Sequence, residues 1–198
     1  LGDVVLAVEV PGAEAQALVW RQLWGRRPVW IAASTHEDEE ATVLAAHRAL
    51  LDRLPDALLL WAPRHPERFA SVASAVERSG LRCRTRREEG LPDDDSQVFV
   101  IDTLGELMAF YAAADVAFVG GSLQSVGGHN LLEPAALGLP IVVGPHTFNF
   151  VDITALLAKA GAVRVVTDST ALVAVLVEWL GNPEQARELG ESGRGCIA

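Results

Sequence analysis

The sequence predicts an α/β fold built on a doubly wound parallel sheet, and three of its features converge on that class. Apolar runs of strand length recur along the chain, each is followed by a segment with helical spacing, and glycines close several of those segments.

The strand runs are residues 28–33 (PVWIAA), 57–62 (ALLLWA), 97–101 (QVFVI), 116–119 (VAFV), 140–143 (PIVV) and 163–166 (VRVV). They are unbroken rather than alternating, as strands covered on both faces require. Helical faces follow from Val43, His47, Leu50, Leu51 and Leu54, from Phe69, Val72, Ala73 and Val76, and from Ile153, Leu156, Leu157 and Ala160. Gly80, Gly138, Gly161 and Gly181 stand where helices are expected to end left-handed. Residues 82–96 (RCRTRREEGLPDDDS) are charged and weakly apolar, so a solvated linker is expected there.

The 198 residues, half of them hydrophobic, suffice for one well-buried core and are short for two. Sixteen Lys and Arg against 26 Asp and Glu leave a net charge of −10, which excludes a nonspecific nucleic-acid partner. Prolines, glycines, His146 and Asn149 interrupt the long uncharged stretch 134–151, so no membrane-spanning helix is expected. The opening LGDVVLAVEV lacks the basic start of a signal peptide, and Leu1 in place of Met fits a piece of a longer protein. Cys83 and Cys196 lie far apart, without the spacing of a zinc site, as expected for a reducing compartment.

In open α/β sheets, ligands bind in the loops beyond the carboxyl ends of the strands. After the first run, Ser34 and Thr35 offer hydroxyls to an anion or cap a helix whose first turn is acid-rich (Glu37 to Glu40). After the second, Pro63 and Pro66 stiffen a turn that holds Arg64 and His65. Arg64 suits bidentate phosphate recognition, and it suits equally a surface pair with Glu67. After the third, Thr103, Leu104, Gly105 and Glu106 form a tight turn whose amides can read a base edge or simply cap the next helix. The richest loop is 120–134 (GGSLQSVGGHNLLEP), where Gly121, Ser122 and Gly128 let backbone approach a ligand and a helix start follows near Asn130. Glu133 is the sole formal charge between Asp115 and Asp152, and it suits a ribose diol or the helix dipole. His146, in the loop after the fifth run, is a contact or a structural group. Neither GxGxxG, GK[ST] nor GxSxG occurs, and no triad or metal-ligand spacing is present.

In this order STHEDEE, APRHPERF, DTLGEL, VGGSL, GGHNLLEPAALGLPIVVGP and HTFNF resemble the C-terminal domain of the 3-deoxy-D-manno-octulosonic acid (Kdo) transferases, over about residues 28–160. The resemblance implies a Rossmann-like sheet, the C-terminal half of a GT-B glycosyltransferase, with residues 1–198 as a single CMP-sugar-binding domain. It implies CMP-Kdo as donor, a lipid A precursor as acceptor, lipopolysaccharide biosynthesis as the setting, and no metal or other cofactor. Pro63 and Arg64, then Leu104, Gly105 and Glu106, then Asn130, Leu131, Leu132 and Glu133 match the positions that hold CMP in the family. Ser34, Thr35, His65, Gly121, Ser122 and Gly128 complete the candidate donor site.

No catalytic residue is expected in this half. The family's general base, acceptor site and membrane anchor belong to an N-terminal domain outside these residues, at the cytoplasmic face of the inner membrane. The chain alone is therefore expected to bind CMP or CMP-Kdo without turnover. Two departures stand out: Asp38 replaces a usual glycine, and Glu9, in LAVEV, falls roughly where the family has a strand ending in lysine. The alternatives are the GT-B half of a UDP-sugar transferase or epimerase, and a non-catalytic nucleotide-binding module.

Overall fold

The computed structural model of the protein describes residues 2–198, with side chains from residue 10 onward. A first helix α1 (Gly2–Trp24) leads into β1 (Val29–Thr35), α2 (Glu37–Arg53), β2 (Leu58–Pro63), a 3-10 turn (Pro66–Arg68) and α3 (Phe69–Arg78). Then come β3 (Cys83–Thr85), α4 (Arg86–Glu89), β4 (Val98–Val100), α5 (Leu107–Ala113), β5 (Val116–Val119) and α6 (Leu132–Ala136). The chain closes with β6 (Ile141–Val143), a second 3-10 turn (Phe148–Phe150), α7 (Val151–Lys159), β7 (Val163–Val165), α8 (Ser169–Gly181) and α9 (Pro183–Ile197).

The strands form one parallel sheet in the order β3-β4-β2-β1-β5-β6-β7. This is the predicted α/β class, and two-sided burial explains the unbroken runs of β1, β2, β4, β5 and β6. By contrast, β7 is a sheet edge with Val165 exposed and lacks the expected cover on both faces. Along β1, Trp30 and Ala32 face a cluster with Val43, Ala46 and Leu50 of α2, Val72 and Val76 of α3, and Leu172, Leu176 and Trp179 of α8. Val29, Ile31 and Ala33 face the opposite cluster, which holds Trp20 and Trp24 of α1 and Phe110 and Tyr111 of α5. A third cluster packs Leu131 and Ala135 with Ile141, Val143 and Leu157 beneath the β5–β6 side.

Three further expectations need correction. The segment 82–96 is no solvated linker: it contains the edge strand β3 and the short helix α4. Two of its cations are paired, Arg86 with Glu106 and Arg84 with Asp93, while Arg82, Arg87, Glu88, Glu89, Asp94 and Asp95 are exposed as expected. Gly181 ends no helix left-handed. Gly80, Gly138 and Gly161 do have positive φ, but Gly181 is inside α8, and Asn182 stops that helix with its side-chain amide donating to the Glu178 carbonyl. The LAVEV stretch is helical, within α1, and not a strand. The side chain of Glu9 itself lies outside the described residues. Among the described residues, no helix is long and apolar enough to cross a membrane.

Candidate donor-binding site

Strand order reverses between β1 and β5: the chain goes on to β2 on one side and to β6 on the other. The crevice at their carboxyl ends is where α/β sheets place ligands. Here β1 ends irregularly, with a register shift against β2 between Ala33 and Thr35. Ser34 in that bulge has φ 57°, the one left-handed residue other than glycine among those described. Such backbone costs free energy and clusters at functional sites. The start of the glycine-rich loop presses against this bulge: a Cβ on Gly120 would lie 2.5 Å from the Ser34 carbonyl oxygen.

The loop is braced from below by Glu39, in the first turn of α2 and fully buried. One carboxylate oxygen accepts from the amides of His36 (3.0 Å) and Gly121 (2.7 Å), the other from those of Ser122 (3.3 Å) and Leu123 (3.1 Å). A buried carboxylate is tolerated because four backbone donors replace its hydration. Sequence reasoning set Glu39 among four acids matched to a helix dipole. Its position three residues after the helix cap His36 was the available signal.

A cavity of about 350 Å³ opens above this brace. It brings together Ser34, Pro63, Arg64, Leu104, Gly105, Asn130 and Glu133 from the expected set. It is also lined by Thr103 of the expected turn and by Phe69, Tyr111 and His129, which the sequence reading did not assign to the site. Arg64 is exposed, fixed at its amide by the Thr35 carbonyl (3.0 Å), whereas its neighbour Arg68 takes the ion pairs to Glu37 and Glu40. Glu133 is partly buried on the same wall system, beside the fully buried Tyr111. Burial, then the charge of Glu133, raises the Tyr111 phenol, so it stays a neutral hydroxyl.

The remaining expected residues serve the framework around the cavity. Thr35 is buried and accepts from the Trp61 indole at 2.9 Å. The amides of Gly121 and Ser122 belong to Glu39, and the Ser122 hydroxyl joins β5 to β6 by donating to Val119 and accepting from Gly144. Gly128, at φ 83°, donates to the Gly121 carbonyl. Leu131 is buried in the third cluster, and the Leu132 amide is capped by the Asn130 side chain at 3.0 Å. Glu106 precedes α5 and grips Arg86 at 2.7 and 3.1 Å, a pairing that holds its carboxyl below the usual range. Arg86 in turn lies over the rings of Trp20 and Phe110. His65 sits edge-on to His36, His146 donates its amide to the Ser122 carbonyl, and Asp38 is exposed on α2.

The cavity therefore sets a guanidinium and a carboxylate on one crevice, with glycine and leucine of an open turn at its edge. That combination suits an anion, a diol and a flat heterocycle held together. Comparison with known proteins identifies the family. Residues 87–195, more than half of the chain, match the family of group 1 glycosyl transferases. Over 175 residues the chain is 45% identical to the 3-deoxy-D-manno-octulosonic acid transferase of Haemophilus influenzae, covering 87% of this chain and 41% of that protein. The transferase of Bordetella pertussis is 39% identical over 205 residues, covering 100% of this chain and 47% of its own length. The chain thus spans less than half of these relatives. The crystal structure of the C-terminal CMP-Kdo binding domain of WaaA from Acinetobacter baumannii superposes with a TM-score of 0.87 at 34% identity, covering 94% of this chain and 98% of that one. The chain belongs to the Kdo transferase family of group 1 glycosyltransferases and corresponds to its C-terminal domain.

Proposed function

We propose that this chain is the donor-binding domain of a transferase that moves Kdo from CMP-Kdo to a lipid A precursor. The observation that carries the reading is the shared cavity of Arg64 and Glu133 at the point where strand order reverses. Arg64 takes the CMP phosphate and stabilises the charge that grows on it as the glycosidic bond breaks. Glu133 accepts from the ribose hydroxyls and so fixes the phosphate's position. Leu104 and Gly105 border the space left for the base. The general base, the acceptor site and contact with the cytoplasmic face of the inner membrane are assigned to the part of the relatives that this chain does not span.

Calorimetric titration of the chain with CMP, 2′-deoxy-CMP and UDP tests this reading. CMP is expected to bind ahead of UDP. Arg64→Ala is expected to weaken CMP roughly 10- to 100-fold, the loss of a charge-assisted contact, with the melting temperature unchanged. Loss of the 2′-hydroxyl is expected to weaken binding in the wild type and to make no difference in Glu133→Ala, which leaves no acceptor for it. A preference for UDP overturns the donor assignment, and an unchanged affinity in Arg64→Ala overturns the role of the guanidinium.

A further inference from the structure

Beside Arg64, two imidazoles meet nitrogen to nitrogen. Nε2 of His36 lies 2.8 Å from Nε2 of His129, with the rings nearly parallel at 4° and their centroids 5.1 Å apart. His129 is on the cavity wall, and His36 reaches it from the start of α2, across 93 residues of sequence. The contact is built in: the His36 amide is held by Glu39, and a Cβ on Gly121 would collide with the His129 ring at 2.7 Å.

A nitrogen–nitrogen contact of this length encloses one proton and only one. In the neutral pair one ring donates from Nε2, and the other accepts there and carries its proton on Nδ1. The pair can take one more proton, on the free Nδ1 of the donating ring, and then carries a single positive charge. A second added proton would set two N–H groups face to face and break the contact.

We propose that the His36–His129 pair is a second anion-binding element of this site, taking up one proton as the anionic group of the donor enters beside Arg64. The inference rests on the donor reading above. The donor class supplies the need for it, because a CMP ester of an acid sugar carries two anions, a phosphate and a carboxylate, on a chain of net charge −10. The groups around the pair set its resting state. Arg64 and His65 approach from the β2–α3 turn; Glu39 of α2 is occupied by backbone amides; Glu37 and Glu40 of α2 are drawn to Arg68; Glu133 of α6 shares the cavity wall. Burial first, then His36, Arg64 and His65, push His129 down to about 4, so the unliganded crevice disfavours the charged form of His129. An anion placed between Arg64 and the pair reverses that balance and draws a proton in.

The test is calorimetry of the chain with cytidine, CMP and CMP-Kdo between pH 6 and 8, in buffers of differing ionisation enthalpy. Uptake approaching one proton is expected with an anionic ligand and none with cytidine, the affinity falling by up to tenfold per pH unit as pH rises. Subtracting the same measurement on the chain carrying both His36→Gln and His129→Gln removes the phosphate's own ionisation near pH 6. The chain carrying both substitutions is expected to lose the proton uptake, since a single imidazole left in place can still protonate, whereas a merely structural role would weaken binding equally at every pH. Nitrogen-15 NMR of the imidazoles in the unsubstituted chain reads the same event directly, as a rise of the pair's titration on saturation with CMP or with CMP-Kdo. Excess uptake with CMP assigns the pair to the phosphate; excess uptake with CMP-Kdo alone assigns it to the carboxylate. Binding with equal uptake in wild type and the double variant, equal uptake with cytidine, or an unmoved NMR titration overturns the inference and leaves the donor reading standing. Failure of the wild type to bind either anionic nucleotide overturns both.

Discussion

Replacing Glu39 with alanine removes the acceptor of three loop amides, Gly121, Ser122 and Leu123, and of the His36 amide at the helix start. The first two loop amides are buried, and a buried donor left without a partner costs about 1–3 kcal/mol. Taking the low end for each loop amide, since water can enter the space vacated by the side chain, the loss is about 3 kcal/mol. For a chain of this size each kcal/mol moves the melting temperature by about 2–4 °C, so a drop of roughly 6–12 °C is expected. Glu39→Gln is the sharper variant, because it keeps the volume but turns an NH₂ group toward backbone donors. It is expected to lose most of the same stability and to speed hydrogen exchange at residues 121–123, while exchange in β1 and β2 is unaffected. CMP affinity should fall with it, because the brace sets the height of the loop that carries His129 and Asn130 over the cavity. Melting by circular dichroism together with exchange mass spectrometry measures both effects. A Glu39→Gln chain that melts within about 1 °C of wild type, inside the range of ordinary surface substitutions, with loop exchange unchanged, would refute the brace.

Three further substitutions and one titration follow from the same structure. His47 is buried, accepting at Nδ1 from the Trp30 indole with Nε2 at the Gln97 carbonyl, and burial pushes its pKa down to about 4. Its folded value lies below its unfolded one, so the contribution is whole above about pH 6.5 and is lost as pH falls toward 4, by about 3 kcal/mol. Urea unfolding at several pH values should show this loss, and His47→Gln should remove that part of the dependence. An NMR titration of His47 near pH 6.5 in the folded chain would contradict it. Gly144→Ala drives a Cβ into the Ser122 backbone where β5 and β6 end, and should destabilise by about 3 kcal/mol or more, seen as a lower melting temperature. Gly195→Ala, in α9 with open space around it, should instead raise stability by about 0.5–1 kcal/mol through helix propensity.

What the sequence determined by itself is local and periodic. A short apolar run without alternation, bounded by turn residues, suits a strand covered on both sides, so β1, β2, β4, β5 and β6 were legible. The strand β7 was placed too, although it is a sheet edge with Val165 exposed and is not covered on both sides. So was Glu133, because a single charge in a long neutral stretch is conspicuous at any register. The edge strand β3 was not legible: it pairs with β4 alone, its three residues are only partly buried, and an edge strand needs no apolar run. Nor could Glu39 be told from Glu37, Asp38 and Glu40, or His36 be joined to His129. Which acid is buried depends on a loop arriving 82 residues later, and which histidines meet depends on β1 and β5 being neighbours. Spacing along the chain encodes which face of an element is apolar. Only the packed order of strands decides which carbonyl, amide and imidazole share a crevice, because those contacts form between segments whose separation in sequence carries no period.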